Sequence, residues 1–170
     1  MATDLYDLTV PVLLRGLDRL SALLEKGEAY ARANGVSAEE MLGARLAPDM
    51  LTLAGQVQRA SDTAKLAAVR IGGVENVPMA DEERSFAELG DRIARTRAFL
   101  EAVPRAAIDG REAAVITVRI GRGEQTLPVR DYALQWVVPN FFFHVATAYG
   151  LLRMKGVPLG KADYIGPMGA

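Results

Sequence analysis

The 170-residue sequence is half hydrophobic and about a quarter charged, an ordinary globular composition, and its length predicts one domain over 1–170. A balance of 20 basic and 21 acidic residues leaves a formal charge of -1, with no run of five like charges, so no nucleic-acid partner is expected. The absence of cysteine excludes disulfides, thiolate catalysis and cysteine-held metals. No apolar run approaches the roughly 20 residues of a membrane helix. Asp4 and Asp7 interrupt the start of the chain, which has no basic leader-like segment, so a cytoplasmic protein without a membrane partner is predicted.

The first helix is expected over 9–33, where Leu13, Leu17, Leu20 and Leu24 recur in threes and fours and Val10 and Leu14 widen the stripe. Pro11 suits its first turn, and Asn34 with Gly35 closes it. Ser37 to Glu40 reads as a capping box opening a short helical turn that ends near Gly43. A second long helix is expected over 45–72, with Pro48 in its first turn and Asp49 as a cap. Met50, Leu53, Val57, Ser61, Ala64 and Ala68 form one stripe; Leu51, Leu66 and Val69 form another. Two stripes mean two helical neighbours, and Gln58 and Asp62 fall in the second, where buried polar groups need partners.

Gly72-Gly73 ends that helix, and a loop containing Pro78 follows. Ser85 and Glu88 form another capping box, placing a third helix over 85–102 with a seam of Phe86, Leu89, Ile93, Thr96, Leu100 and Val103. The alternation of VITVRI, the glycines at 121 and 123 around Arg122, and TLPVR predict a β-hairpin over 114–130, with Pro128 marking an edge strand. The stretch 136–156 holds the only Trp and the only His; it predicts a buried fourth helix with Pro139 in its first turn and Val137, Phe141, His144, Ala148 and Leu151 on one face. Val157, Leu159, Tyr164 and Ile165 are expected to anchor the Gly/Pro-rich tail. The sum is an all-α bundle of four helices with a hairpin-bearing crossover, in which the long connection after Gly72 lets helices two and three run parallel.

His144 is the first candidate for chemistry, as a general base, a metal ligand or a hydrogen-bonded core imidazole. If helices two and four are antiparallel, Asp62 approaches His144; a carboxylate there would fix the ring tautomer and raise its pKa. The alternative for Asp62 is an ordinary pair with Lys65 on the helix surface at i,i+3 spacing. Tyr149 and Arg153, one turn apart, face a pocket or a partner, or form a snorkelling Arg over an aromatic. Thr147 is placed to bond back to its own helix, and Ser61 is a small packing residue. No phosphate loop, Gly-x-Ser-x-Gly elbow, HExxH or Gly-x-Gly-x-x-Gly sequence occurs.

The segments RLAPDMLTLAGQVQRASDTAK (45–65) and PNFFFHVATAYGLLRMKGVPLGKADYIG (139–166) resemble the domain-of-unknown-function family one-nine-nine-three, of the DinB-like helical superfamily, and the resemblance covers nearly the full length. It implies an up-down-down-up four-helix bundle, often a homodimer. It also implies a divalent metal held by three histidines, one on helix two and a spaced pair on helix four, with thiol-dependent transfer in some members. Here His144 is the only match to that set; Ala148 stands where the second His of the pair would be, and Gln58 or Asp62 are the available donors on helix two. The expectation is therefore a small polar site around His144 with Asp62, Gln58, Tyr149 and Arg153, either a small-molecule pocket or a degenerate remnant of the metal site, with no cofactor. The alternatives are a metal-dependent transferase or hydrolase using His144 with carboxylates, and a structural dimer module.

Overall fold

The computed structural model describes residues 4–121 and 123–168; Arg122 of the expected hairpin turn lies outside the described residues. Helix α1 spans Val10–Asn34, with Pro11 in its first turn and Gly35 closing it at φ 68° through a bond to the Ala31 carbonyl. Its Leu13, Leu17, Leu20, Leu23 and Leu24 are buried, each worth about 1.5–3 kcal/mol when fully withdrawn from water. Helix α2 spans Ala38–Leu42, and the Ser37 hydroxyl accepts from the Glu40 N–H as its cap.

Helix α3 spans Leu53–Gly72, starting eight residues later than the sequence pattern indicates. The segment before it is a turn: the Arg45 guanidinium donates to the Met50 carbonyl, and the Leu53 N–H donates to the Ala44 carbonyl at 3.0 Å. The helix cap is Thr52, whose hydroxyl accepts from the Gly55 N–H, and not Asp49. Helix α4 spans Phe86–Glu101 and opens with the expected reciprocal Ser85–Glu88 capping box. The expected seam is buried, and Arg92 stands within it.

Strands β1 (Val115–Ile120) and β2 (Gly123–Pro128) form an antiparallel hairpin, pairing Val115 with Pro128 and Ile120 with Gly123. Only Val118 of the pair is buried. A short α5 (Val129–Asp131) leads through a π-helical stretch, Tyr132–Val137, into α6 (Val138–Met154). Pro139 has no N–H for the carbonyl four residues back, and the widened turn before it relieves the clash its ring would make there. Helix α7 (Lys161–Ile165) carries the tail across α1. Val157 and Leu159 anchor that tail as expected; Ile165 is exposed, and the tail is held there through its carbonyl, which accepts from Arg15 at 2.8 Å.

Helices α1 and α3 each pack against both α4 and α6. Gly16 lies on the Phe141 ring and Gly27 on Leu152, so positions advance together along α1 and α6. Asn140 donates to Thr63 at 2.9 Å while His144 meets Gln56, so positions run in opposite order along α3 and α6. Ser61 meets Thr96, and Gly72 approaches Ile108 just beyond α4, so α3 and α4 advance together. Among the described residues, no helix is long and apolar enough to cross a membrane.

A methyl group on Gly16 would overlap the fully buried Phe141 ring. Gly16→Ala is therefore expected to lower the unfolding free energy by about 1–2 kcal/mol, overpacking outweighing the ~1 kcal/mol that alanine gains in a helix. Urea denaturation of Gly16→Ala, Phe141→Leu and the double variant checks this: the double should lose less than the sum of the singles.

Candidate functional site

His144 lies on the face of α6 that packs against α3, and it is 9% exposed. Its Nδ1 is 2.7 Å from Oε1 of Gln56, a residue of α3 that is itself 1% exposed. The Gln56 amide nitrogen donates to the Leu51 carbonyl at 3.3 Å, in the turn before α3. Phe143 stands edge-on to the imidazole, with ring centroids 5.3 Å apart. One turn on, Thr147 bonds back to the Phe143 carbonyl at 2.7 Å. Burial, helped by the Arg59 guanidinium nearby, lowers the His144 pKa to about 4.

The expected approach of Asp62 to His144 is not found. Gln56 and Asp62 are six positions apart, which on a helix is roughly 120° around the axis and about 9 Å along it, so the two cannot face the same neighbour. The neutral amide of Gln56 takes the place proposed for the carboxylate, and the imidazole pKa moves down where a carboxylate would have moved it up.

Asp62 serves a different centre, the guanidinium of Arg92, which is 1% exposed. Arg92 Nη2 lies 2.8 Å from Asp62 and 2.9 Å from Asp81. Its Nη1 lies 2.9 Å from Glu83 and donates to the Ala80 carbonyl at 2.9 Å, and its Nε donates to the Ser61 hydroxyl at 3.1 Å. Ser61 in turn is 2.7 Å from the Thr96 hydroxyl, so it is more than a small packing residue. Lys65 donates to the Val77 carbonyl at 2.8 Å and lies 3.8 Å from Asp62; the i,i+3 pair expected on the helix surface forms only loosely, with Lys65 buried beneath the connection. Arg59 bridges Asp62 at 3.3 Å and Asp81 at 2.5 Å.

Burial pushes the Lys65 ammonium down against the attraction of Asp62. Burial also opposes ionisation of Glu83, but hydrogen bonds from Gln58 and Arg92 outweigh it and hold that carboxyl below its ordinary value. Arg92 is raised for the same reason: its carboxylates more than offset its burial.

Gln58 donates to Glu83 at 2.9 Å and so belongs to the Arg92 centre. Tyr149 packs edge-on against Tyr164 of the tail, with centroids 5.9 Å apart, and Arg153 is exposed near the end of α6. Thus none of the four residues grouped with His144 from the sequence makes a hydrogen bond or ion pair to it among the described residues. The residues that do define its surroundings, Gln56 and Arg59, flank Gln58 in sequence. Gln56 had one available signal: it lies one residue before Val57 and one turn before Ala60, inside the buried stripe. Arg92, likewise, lies three residues after Leu89 in an apolar seam.

Five of the surface concavities have volumes of about 220 to 590 Å³, and His144 lines none of these five. One of about 380 Å³ lies beside the Arg92 centre, lined by Ala80, Glu82, Glu83, Glu88, Asp91 and Arg95 with Arg92 itself.

The donor set does not fit a three-ligand divalent metal. His144 has one nitrogen committed to Gln56 and a guanidinium nearby, Ala148 is buried in the packing, and the convergent carboxylates are neutralised by Arg92. Among the described residues, no group of three His, Asp or Glu side chains is arranged to hold a metal.

Residues 5–165 match the family model described as Domain of unknown function (DUF1993). The chain is also similar to a solved structure, the crystal structure of a DinB family member protein from Shewanella denitrificans. The two are 39% identical over 98% of this chain and 94% of that chain, with a TM-score of 0.89. No curated protein matches the chain.

Two predictions follow from this geometry. Unfolded His144 takes up a proton near pH 6.5, but folded His144 does so only near 4. Between these values the unfolded chain binds more protons, so this contribution to stability is full above pH 6.5 and is lost as the pH falls towards 4. About 2 kcal/mol should be lost between pH 7 and pH 5, measured by urea unfolding, and His144→Gln should flatten that slope. Arg92→Met, which leaves Asp62, Asp81 and Glu83 facing one another, should cost about 3–5 kcal/mol in the same assay at pH 7.

Proposed function

Because the chain belongs to the DUF1993 family, we propose that it is a DinB-like up-down-down-up four-helix bundle of the cytoplasm whose His144 site recognises a small molecule without a metal. The pairing of α1 with α6 and of α3 with α4 in the same direction, and of α3 with α6 in opposite directions, supports the topology. The connection over 73–85 can reach about 40 Å when extended, enough to return along the roughly 30 Å length of α3.

The observation that carries the functional reading is the neutral imidazole of His144, held by Gln56 and left slightly open to solvent. An imidazole that stays uncharged at pH 7 acts as a fixed hydrogen-bonding group, and its basicity is too low for efficient general-base catalysis. The test combines metal analysis with binding. Protein purified without chelator should carry less than about 0.2 equivalents of Zn, Ni or Mn. Small polar fragments should shift the His144 ring resonances of the wild type. A full equivalent of retained metal, or a His144→Gln variant that binds the same fragments with the same affinity, would overturn the reading.

A homodimer is the second reading, favoured by exposed apolar side chains. On α6, Phe143 is 54% and Met154 52% exposed; Leu46, which lies over Gly150, is 44% and Leu51 41% exposed. Light scattering should give twice the monomer mass, and Phe143→Glu should shift it towards the monomer.

A further inference from the structure

We propose that His144 is locked as its Nδ1–H tautomer, and that its Nε2 lone pair accepts a hydrogen bond from a neutral small molecule carrying an O–H or N–H donor beside an apolar group. This rests on the preceding reading that a small molecule is recognised at His144, and it names the chemical class.

The lock follows from a chain of three groups. The Leu51 carbonyl can only accept, so the Gln56 side chain turns its amide nitrogen towards it. That orientation aims Oε1 of Gln56, another pure acceptor, at the imidazole 2.7 Å away. The ring nitrogen facing it must therefore donate, which puts the proton on Nδ1. Turning the amide over would set its oxygen against the Leu51 carbonyl, two acceptors facing each other at a residue that is 1% exposed. In the neutral ring the other nitrogen, Nε2, then carries a bare lone pair.

Nε2 is also the open edge. It has no hydrogen-bond partner among the described residues, and none of their buried side-chain nitrogen or oxygen atoms lacks one, so Nε2 is the polar atom of His144 that reaches solvent. Its surroundings select among ligands. A lone pair repels anions. Cations meet the field of Arg59, the same field that helps keep the ring neutral. The two terminal nitrogens of Arg59 are paired with Asp62 and Asp81, so a carboxylate ligand would have to compete with those residues for them. A neutral donor remains, and Phe143, edge-on to the imidazole and 54% exposed, supplies an apolar wall for what the donor is attached to.

The protein has a single histidine, so a ring-15N-labelled sample gives one unambiguous imidazole spectrum. At pH 7, Nδ1 should show a pyrrole-type and Nε2 a pyridine-type shift; the reverse assignment, or an average of the two, overturns the lock. Benzyl alcohol, benzyl methyl ether and benzoate are then titrated at millimolar concentrations. Benzyl alcohol should shift Nε2 and bind about fivefold tighter than the ether, the difference one neutral hydrogen bond makes. Gln56→Met, which frees the ring to change tautomer, should erase that preference. Equal binding of alcohol and ether, both abolished in His144→Ala, would overturn the donor class while leaving small-molecule recognition at His144 intact. Preference for benzoate would overturn the neutral class. No shift with any of the three would overturn both this inference and the reading beneath it.

Discussion

The guanidinium of Arg92 carries the arrangement of this protein. It is withdrawn from water yet fully charged, a state tolerable only because Asp62 comes to it from α3 and Asp81 and Glu83 come from the connection between α3 and α4. With Lys65 and Arg59 added, three cations meet three carboxylates, so the cluster is neutral as a unit and costly in any of its parts. Such a cluster stabilises modestly against an apolar replacement of the same shape, but it discriminates strongly among ways of laying the chain. It fixes the long connection across the side of α3, and that path delivers the chain to the start of α4 in the direction α3 already took.

The two polar centres of α3 are divided by the helix itself. Gln56 turns to α6 and Asp62 to α4, each served by the neighbour it faces. The division keeps negative charge away from His144 and leaves that imidazole among an amide, an aromatic edge and a nearby cation. A carboxylate in the place of the Gln56 amide would have raised the basicity of the imidazole; the amide leaves it neutral.

Much of this was legible in the sequence, because it is written in periodic or local form. The stripe of leucines in α1, the Ser85–Glu88 capping box, the alternating hairpin and the buried face of His144 each follow from spacing alone. The start of α3 was not, since Pro48 and Asp49 fit a first helical turn as well as they fit the real turn, and the decisive bond from Arg45 to Met50 spans both possibilities. The partner of His144 was not legible either. Reading Asp62 as that partner rested on its place in the second apolar stripe and on antiparallel helices; the helices are antiparallel, but that stripe faces α4, and Gln56 has the angle that faces α6. Arg92 was hidden for the opposite reason: a charged residue in an apolar seam reads as a flaw in the seam until the carboxylates that meet it, spread over two segments, are brought together by the fold.

The close approach of α1 to α6 at Gly16 and Gly27 bears on how the chain reaches this state. The tail reinforces it, with Arg15 holding the Ile165 carbonyl 150 residues away. During synthesis, the apolar face of α1 leaves the ribosome about 125 residues (16 to 141) before the aromatic that fills its glycine notch. Until then that face is a sticky surface exposed to the cell, so α6 closes the core, and a chain interrupted before 141 would be expected to meet chaperones and proteases in place of a folded state.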